Sequence, residues 1–387
     1  MQKSKLWVLA GVVVAVCLLT VIAQMRTRAR LQQLERKAQS DAADITRLTE
    51  TNEELSKTIS TLRQGKPPRT PAPPLSATAP ASSVEQTNTA RSNHWGRIAA
   101  GDKLSLAQVE EYLKKAGRSA HNLLAAFRSS GDAGLLREAM QKYPNDPQVA
   151  FEAVVHPSSS PEERAQWLSA LKQSAPDNAL PNYLSALDAF KAGNTAEALK
   201  ELSAAAHKPQ FNDFTLERTQ NDQDLYFASG YSLAESKLVP TAQLLLPQLA
   251  QLKDLGNRLT DLATSYRSAG DEAAANATLD TAVQLANRYV NRFPGEPEIS
   301  RLVGMAIEYK ALQQLDPASP YGGGPETVQA RLAQIDNERE DFKSLNNNAR
   351  EFLPQMSDQD LISYIDHRVL FGEPAALKWV LAKYGPR

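Results

Sequence analysis

The chain is short of the residues that usually carry chemistry. It has one cysteine, Cys17, in 387 residues. A single cysteine closes no disulfide within the chain and builds no thiolate metal site. None of the five histidines (His94, His121, His156, His207 and His367) lies three or four residues from another, the spacing that would put two imidazoles on one helix face to hold a metal. No metal and no other cofactor is therefore expected. Neither sign of charge dominates, with 43 Lys and Arg against 44 Asp and Glu. A nucleic-acid binder carries a basic excess that steers it to phosphate, so no nucleic-acid partner is expected. A Gly-x-Ser-x-Gly elbow is missing, which counts against a serine hydrolase. The run Tyr321-Gly322-Gly323-Gly324-Pro325 lacks the Lys-Ser/Thr that completes a phosphate-binding loop. Pro325 and Glu326 read instead as a helix start.

The clearest feature present is at the N-terminus. Residues 6–23, LWVLAGVVVAVCLLTVIA, carry no charge. As a helix they extend roughly 27 Å, enough to cross a bilayer core. Residues 1–25 therefore read as a transmembrane signal-anchor, since a cleaved signal peptide usually has a shorter apolar region. Val21-Ile22-Ala23 would also suit a cleavage site, and Val16 before Cys17 argues against a lipoprotein. Lys3 and Lys5 precede the span, while Arg26, Arg28, Arg30, Arg36 and Lys37 follow it. The larger cluster after the span argues for a cytoplasmic C-terminal part. The short basic head and the tether beyond argue for export, and the reading adopted is a single-pass membrane protein with its C-terminal domain outside the cytoplasm, in the periplasm.

Residues 26–64 carry a heptad pattern. Leu31, Ala38, Ile45, Asn52 and Ile59 occupy a; Leu34, Asp41, Leu48, Leu55 and Leu62 occupy d. Isoleucine at a with leucine at d favours a parallel two-stranded coiled coil, and a single Asn at a fixes register. Leu31, Leu34, Ile45, Leu48, Asn52, Leu55, Ile59 and Leu62 are thus expected to join two copies as a parallel homodimer. Residues 65–94, rich in Pro, Ala, Ser and Thr, have too few apolar side chains for a core and read as a disordered linker.

From 95 to 387 the pattern is helical. Segments open on Ser, Asp or Pro and close on Gly, Asn or Pro. Ser105-Leu106-Ala107-Gln108 has the form of a capping box, and Ser357 to Asp360 follows it more loosely. Helices are predicted over about 105–116, 119–129, 133–143, 147–155, 161–173, 179–192, 195–206, 222–236, 239–251, 256–269, 272–293, 297–314, 325–350, 358–370 and 374–384.

Small residues recur at fixed places in this region. Leu262-Ala263, Tyr266, Gly270, Ala275, Leu279 and Ala282 form one set. Ala186, Gly193-Asn194, Ala198, Leu202 and Ala205 repeat it, and Leu123-Leu124, Phe127, Gly131-Asp132, Leu136 and Met140 are a weaker copy. Tyr143 to Pro147, Pro176 to Ala179 and Phe293 to Pro297 look like junctions between copies. Together these resemble the tetratricopeptide repeat, a helix-turn-helix of about 34 residues. The copies fall within 120–300. The turn glycines Gly131, Gly193 and Gly270 are irregularly spaced, and the family's first-helix tryptophan position holds Leu259 in the best copy. The resemblance implies an all-α fold, a right-handed superhelical stack of helical hairpins, whose concave groove takes a protein or peptide ligand. In the best copy it implies groove positions at Asn257, Thr260, Thr264 and Arg267.

Other side chains have plainer readings. Asp358, Asp360 and Asp366, and likewise Glu338, Glu340 and Asp341, read as solvated helix faces. Tyr183, Phe190, Tyr226, Phe227 and Tyr231 read as core. No catalytic residue is nominated. The function expected is a membrane-anchored protein–protein interaction scaffold, not an enzyme. The alternatives are a structural spacer, or an all-helical cell-envelope hydrolase or lytic enzyme, which a pocket converging on a glutamate and a histidine would favour.

Overall fold

The computed structural model describes residues 103–290, 295–322 and 324–386. The predicted transmembrane span (1–25), the coiled-coil stalk (26–64) with its eight interface residues, the linker (65–94) and His94 lie outside the described residues. The described part is all helical. Its elements are α1 (Leu106–Ala116), α2 (Ala120–Ser130), α3 (Ala133–Lys142), α4 (Pro147–Val155), α5 (Pro161–Ser174), α6 (Leu180–Lys191), α7 (Thr195–Ala206), α8 (Thr215–Ala228), α9 (Leu233–Ala242), α10 (Pro247–Ser268), α11 (Glu272–Val290), α12 (Glu298–Leu312), α13 (Val328–Arg350), α14 (Asp358–Phe371) and α15 (Glu373–Tyr384). Among the described residues there is no strand, only the isolated bridges Asn178–Gln210 and Pro320–Thr327.

Local chemistry sets the helix ends. The Ser105 hydroxyl accepts from the Gln108 N–H at 3.3 Å, and Gln108 Oε1 accepts from the Ser105 N–H at 3.1 Å. This closes the capping box read from sequence and satisfies two donors that a helix start leaves open. Ser160 with Glu163 and Ser232 with Glu235 do the same. Ser357 accepts from the Asp360 N–H at 3.2 Å. The three turn glycines are left-handed, with φ of 78° at Gly131, 75° at Gly193 and 81° at Gly270, where any Cβ would be strained.

Two stretches depart from the predicted boundaries. The helix predicted over 222–236 is two helices, because Gly230 takes φ 91° and Ser232 then caps a new start. The helices predicted over 239–251 and 256–269 are largely one, α10, running 22 residues from Pro247 at its N-terminal end. Helix α13 starts at Val328 and not at Pro325, since Thr327 Oγ1 accepts from the Ala330 N–H at 3.2 Å.

Most neighbours in sequence pack as hairpins: α2 on α3, α4 on α5, α6 on α7, α10 on α11 and α14 on α15. The order is interrupted at α8 and α9. Helix α10 packs on α6, while α8 turns back to pack on α2 and α1. The largest buried cluster joins α4–α7 to α10–α12, and many of its members are alanines: Ala186, Ala198, Ala205, Ala263, Ala275 and Ala282. Close approach is built into this cluster. A Cβ on Gly256 would sit 2.7 Å from Ile307 Cγ2, and one on Gly304 would sit 2.8 Å from the Ala286 carbonyl oxygen. A second cluster joins α1–α4 to α8 and α9 through Leu225, Tyr226 and Val239. A third joins α9, α13, α14 and α15.

Candidate functional site

A concavity lies where α2, α4, α8 and the α9–α10 connection meet. It has a volume of ≈ 560 Å³, within the range of small-ligand pockets. Its lining includes the apolar side chains Phe127, Val155, Pro157, Leu244 and Leu245. It also includes a charged wall of Arg128 from α2, Glu152 from α4, and Arg218 and Asp222 from α8.

The path of the chain into α8 sets this wall. Asn178, in a predicted inter-repeat junction, is 2% exposed and grips the incoming loop. Its amide donates to the Asn212 carbonyl at 2.8 Å, and its Oδ1 accepts from the Asn212 N–H at 2.9 Å. Phe214 then takes a left-handed φ of 57°, a strain of about 1–3 kcal/mol for a residue with a Cβ. Its ring lies 5.7 Å from that of Phe151, buried on α4. The turn aims the next helix back across α2 and α4. Arg218 and Asp222 are four residues apart on α8 and so share one face.

The four charges form a chain. Arg128 binds Asp222 through Nε at 3.0 Å and Nη2 at 2.7 Å, a fork-shaped contact. Its Nη1 donates to Glu152 Oε2 at 3.1 Å. Arg218 Nε lies 3.3 Å from the same Glu152 oxygen, and its guanidinium stands 5.4 Å from the Phe151 ring centre. Arg218 is 3% exposed, and its Nε and Nη1 have no hydrogen-bond acceptor. Burial opposes ionisation of Glu152, but the fields of Arg218 and Arg128 outweigh it and hold the carboxyl below its ordinary value. Asp222 goes the other way. Burial pushes it up, and Arg128, shared with Glu152, only partly offsets that. His156, at the end of α4, lines the same cavity with its ring 5.6 Å from Phe127.

The residues expected in a groove occupy a different place. Helix α12 and the residues after it contact part of their face of α10, where Thr264 stays exposed and Asn257 and Arg267 are half-buried. Thr260 is fully buried and donates to the Asn257 carbonyl at 2.7 Å. Asn257 Oδ1 accepts from Lys310 Nζ at 2.9 Å, and Thr264 Oγ1 donates to Gln314 Oε1 at 3.3 Å. Arg267, near the end of α10, pairs with Glu272 at 3.1 Å.

Several plainer readings also change. Glu338 is bound to Arg301 and Arg331, and Asp360 to Lys383 and Tyr384, so these are ion-paired and not simply solvated. Tyr183 and Tyr226 are core, whereas Phe227 is 59% exposed. Sequence reading missed the charged wall altogether. With a helix start predicted at 222, Arg218 fell outside the helix and its spacing to Asp222 carried no meaning.

Among the described residues no cluster of three or more His, Cys, Asp or Glu could hold a metal ion, and no helix is long and apolar enough to cross a membrane. No protein-family model, curated protein or solved structure matches the chain.

Proposed function

We propose that residues 103–386 form a tetratricopeptide-like interaction module, anchored to a membrane through the apolar run 6–23 and paired into a parallel homodimer by the stalk. Its ligand is another protein or a peptide, and it performs no turnover. The observation that carries this reading is the contact of α6 with α10. The two best copies of the small-residue pattern, 180–206 and 259–283, pack first helix on first helix although 52 residues separate them in sequence. A hairpin array buries its apolar faces in this way, and α8–α9 is then an inserted hairpin that leaves the stack. Since Thr260 is buried, and α12 and the residues after it contact Asn257 and Thr264, the contact surface on α10 is its Arg267 end.

The test uses the full-length chain in membranes with a photoreactive residue at the exposed position 268. A discrete adduct with one protein, lost in Arg267→Glu, is expected. An adduct indifferent to that reversal, or none, overturns the surface. Leu48→Cys in a Cys17→Ser background should oxidise to a disulfide-linked dimer, and monomer alone would remove the parallel stalk. Resistance of the chain to alkaline extraction from membranes tests the anchor.

One observation favours a second reading. Glu152 and His156 line a single cavity, the convergence an envelope hydrolase would need. Against it, Glu152 is engaged by two arginines and held ionised, whereas a general acid must keep its proton near operating pH. Hydrolysis of cell-wall glycan lost in both Glu152→Gln and His156→Ala would establish the enzyme.

A further inference from the structure

We propose that the cavity between α2, α4, α8 and the α9–α10 connection is a binding site for a small organic carboxylate, a single acid group on an apolar body. This stands apart from the interaction-module reading, which rests on α6 and α10.

Three observations carry it. The first is a buried cation short of partners. Arg218 lines the cavity and is almost fully buried; its Nε stands 3.3 Å from Glu152 Oε2 outside hydrogen-bonding geometry, and its Nη1 has no acceptor. Buried charge with unmatched donors is costly, and a carboxylate bound beside the guanidinium would add the compensating negative charge. The second is the charge balance. Arg128, Arg218 and Lys103 line the cavity together with Glu152 and Asp222, which leaves one positive charge in excess when both acids are ionised. Both carboxylates are already taken by arginines, so a cationic ligand would find no free partner. A single negative charge fits the excess. The third is the apolar part of the lining. Phe127, Val155, Pro157, Leu244 and Leu245 would desolvate an apolar body, and Leu245 is 76% exposed. Inorganic phosphate, strongly hydrated and without an apolar part, would gain nothing from those side chains.

The carboxylate can belong to a free acid or to the end of a peptide chain, and the probes separate the two. Titration calorimetry of the full-length chain in detergent compares phenylacetate with phenylacetamide, and N-acetylphenylalanine with its amide. The pairs differ only in charge, and a charge-assisted contact in a partly buried site should favour the acid by about tenfold. Preference for phenylacetate identifies a free-acid site; preference for N-acetylphenylalanine identifies a chain-end site. Either supports the assignment. In Arg218→Met the preference should fall to about unity. Because that change leaves Glu152 with one partner fewer and so threatens the fold, two milder variants carry the test as well. Lys103→Met, at an exposed position, should weaken acid binding and spare amide binding. Leu244→Trp fills the cavity and should abolish both. Equal binding of acid and amide, acid binding that survives Leu244→Trp, or no binding of any probe at millimolar concentration overturns the proposal.

Discussion

Two of the seams between the described helices are built on different principles. Where α6, α7, α10, α11 and α12 meet, the contact is made largely of alanine and leucine, and α12 approaches α10 and α11 so closely that Gly256 and Gly304 have no room for a methyl group. Where α8 meets α2 and α4, the contact centres on two arginines and two acids, none with a side chain more than 12% exposed. The first seam is non-directional: area and shape set its strength. The second depends on every partner being present. Its charges have given up most of their water, and each is stable only while the others neutralise it. The alanine seam should therefore yield gradually to mutation, and the charged seam abruptly.

The largest effect expected is at Glu152. Glu152→Ala removes the carboxylate that Arg128 and Arg218 share and leaves buried positive charge without compensation, a loss of about 3–5 kcal/mol. Equilibrium urea unfolding of the full-length chain measures it. The decisive companion replaces Arg128 and Arg218 by Met and Glu152 and Asp222 by Leu together. If the quadruple variant recovers most of the lost stability, the seam depends on pairing and not on the charges as such. If it is as unstable as the single variant, the contrast drawn between the seams fails.

On the other seam Gly304→Ala should cost about 1–3 kcal/mol by overpacking, since the new methyl would lie 2.8 Å from the Ala286 carbonyl oxygen and 2.9 Å from Tyr289 Cβ. A backbone atom cannot swing aside as the end of a side chain can. Gly256→Ala meets only the Ile307 side chain and should cost less. Equal losses for the two glycines would show that the helices are free to move apart, and that the seam is looser than its geometry.

The two seams were not equally readable in the sequence. The hairpins α6–α7 and α10–α11 could be anticipated because their signals are local: Gly-Asn and Gly-Asp turns, and small residues three and four apart. Capping serines and Pro at helix starts fixed most of the remaining ends. The charged seam joins residues 24 to 94 positions apart, and no periodicity connects Arg128 to Asp222. Its assembly rests on the left-handed turn at Phe214, a conformation that a phenylalanine rarely adopts and that tertiary contacts impose. The same limit explains Phe227, whose spacing suits a core helix but whose position on α8 leaves it 59% exposed. The burial of Thr260 on α10 was illegible for a related reason: the sequence pattern describes one hairpin, while α12, which packs on α10, belongs to the next.

Smaller effects come from pH, and here the two acids of the charged seam separate. Glu152 titrates below its ordinary value in the fold, so its contribution is complete above the unfolded-state value and is lost as pH falls through the folded one. Asp222 titrates above its ordinary value. The folded state holds that proton more tightly, so its contribution is present at low pH and lost as pH rises through the folded value. The stability gap between the natural chain and Glu152→Gln should therefore widen as pH rises through the acid range, while the gap for Asp222→Asn should narrow. Urea unfolding at a series of pH values reads both. Gaps that move in the same direction would mean that the wall shares its protons differently from this assignment.

The smallest effect expected is at Arg267, and it separates stability from binding. Its partner Glu272 is exposed and the pair lies outside both seams. Exposed ion pairs contribute about 0–1 kcal/mol, so Arg267→Glu should leave the unfolding midpoint almost unchanged. Any loss of partner capture in this variant then reports the surface itself and not a partly unfolded module. If the reversal instead destabilises the chain as much as Gly304→Ala does, the Arg267 end of α10 is part of the alanine seam's support, and the contact surface has to be sought on another face of the stack.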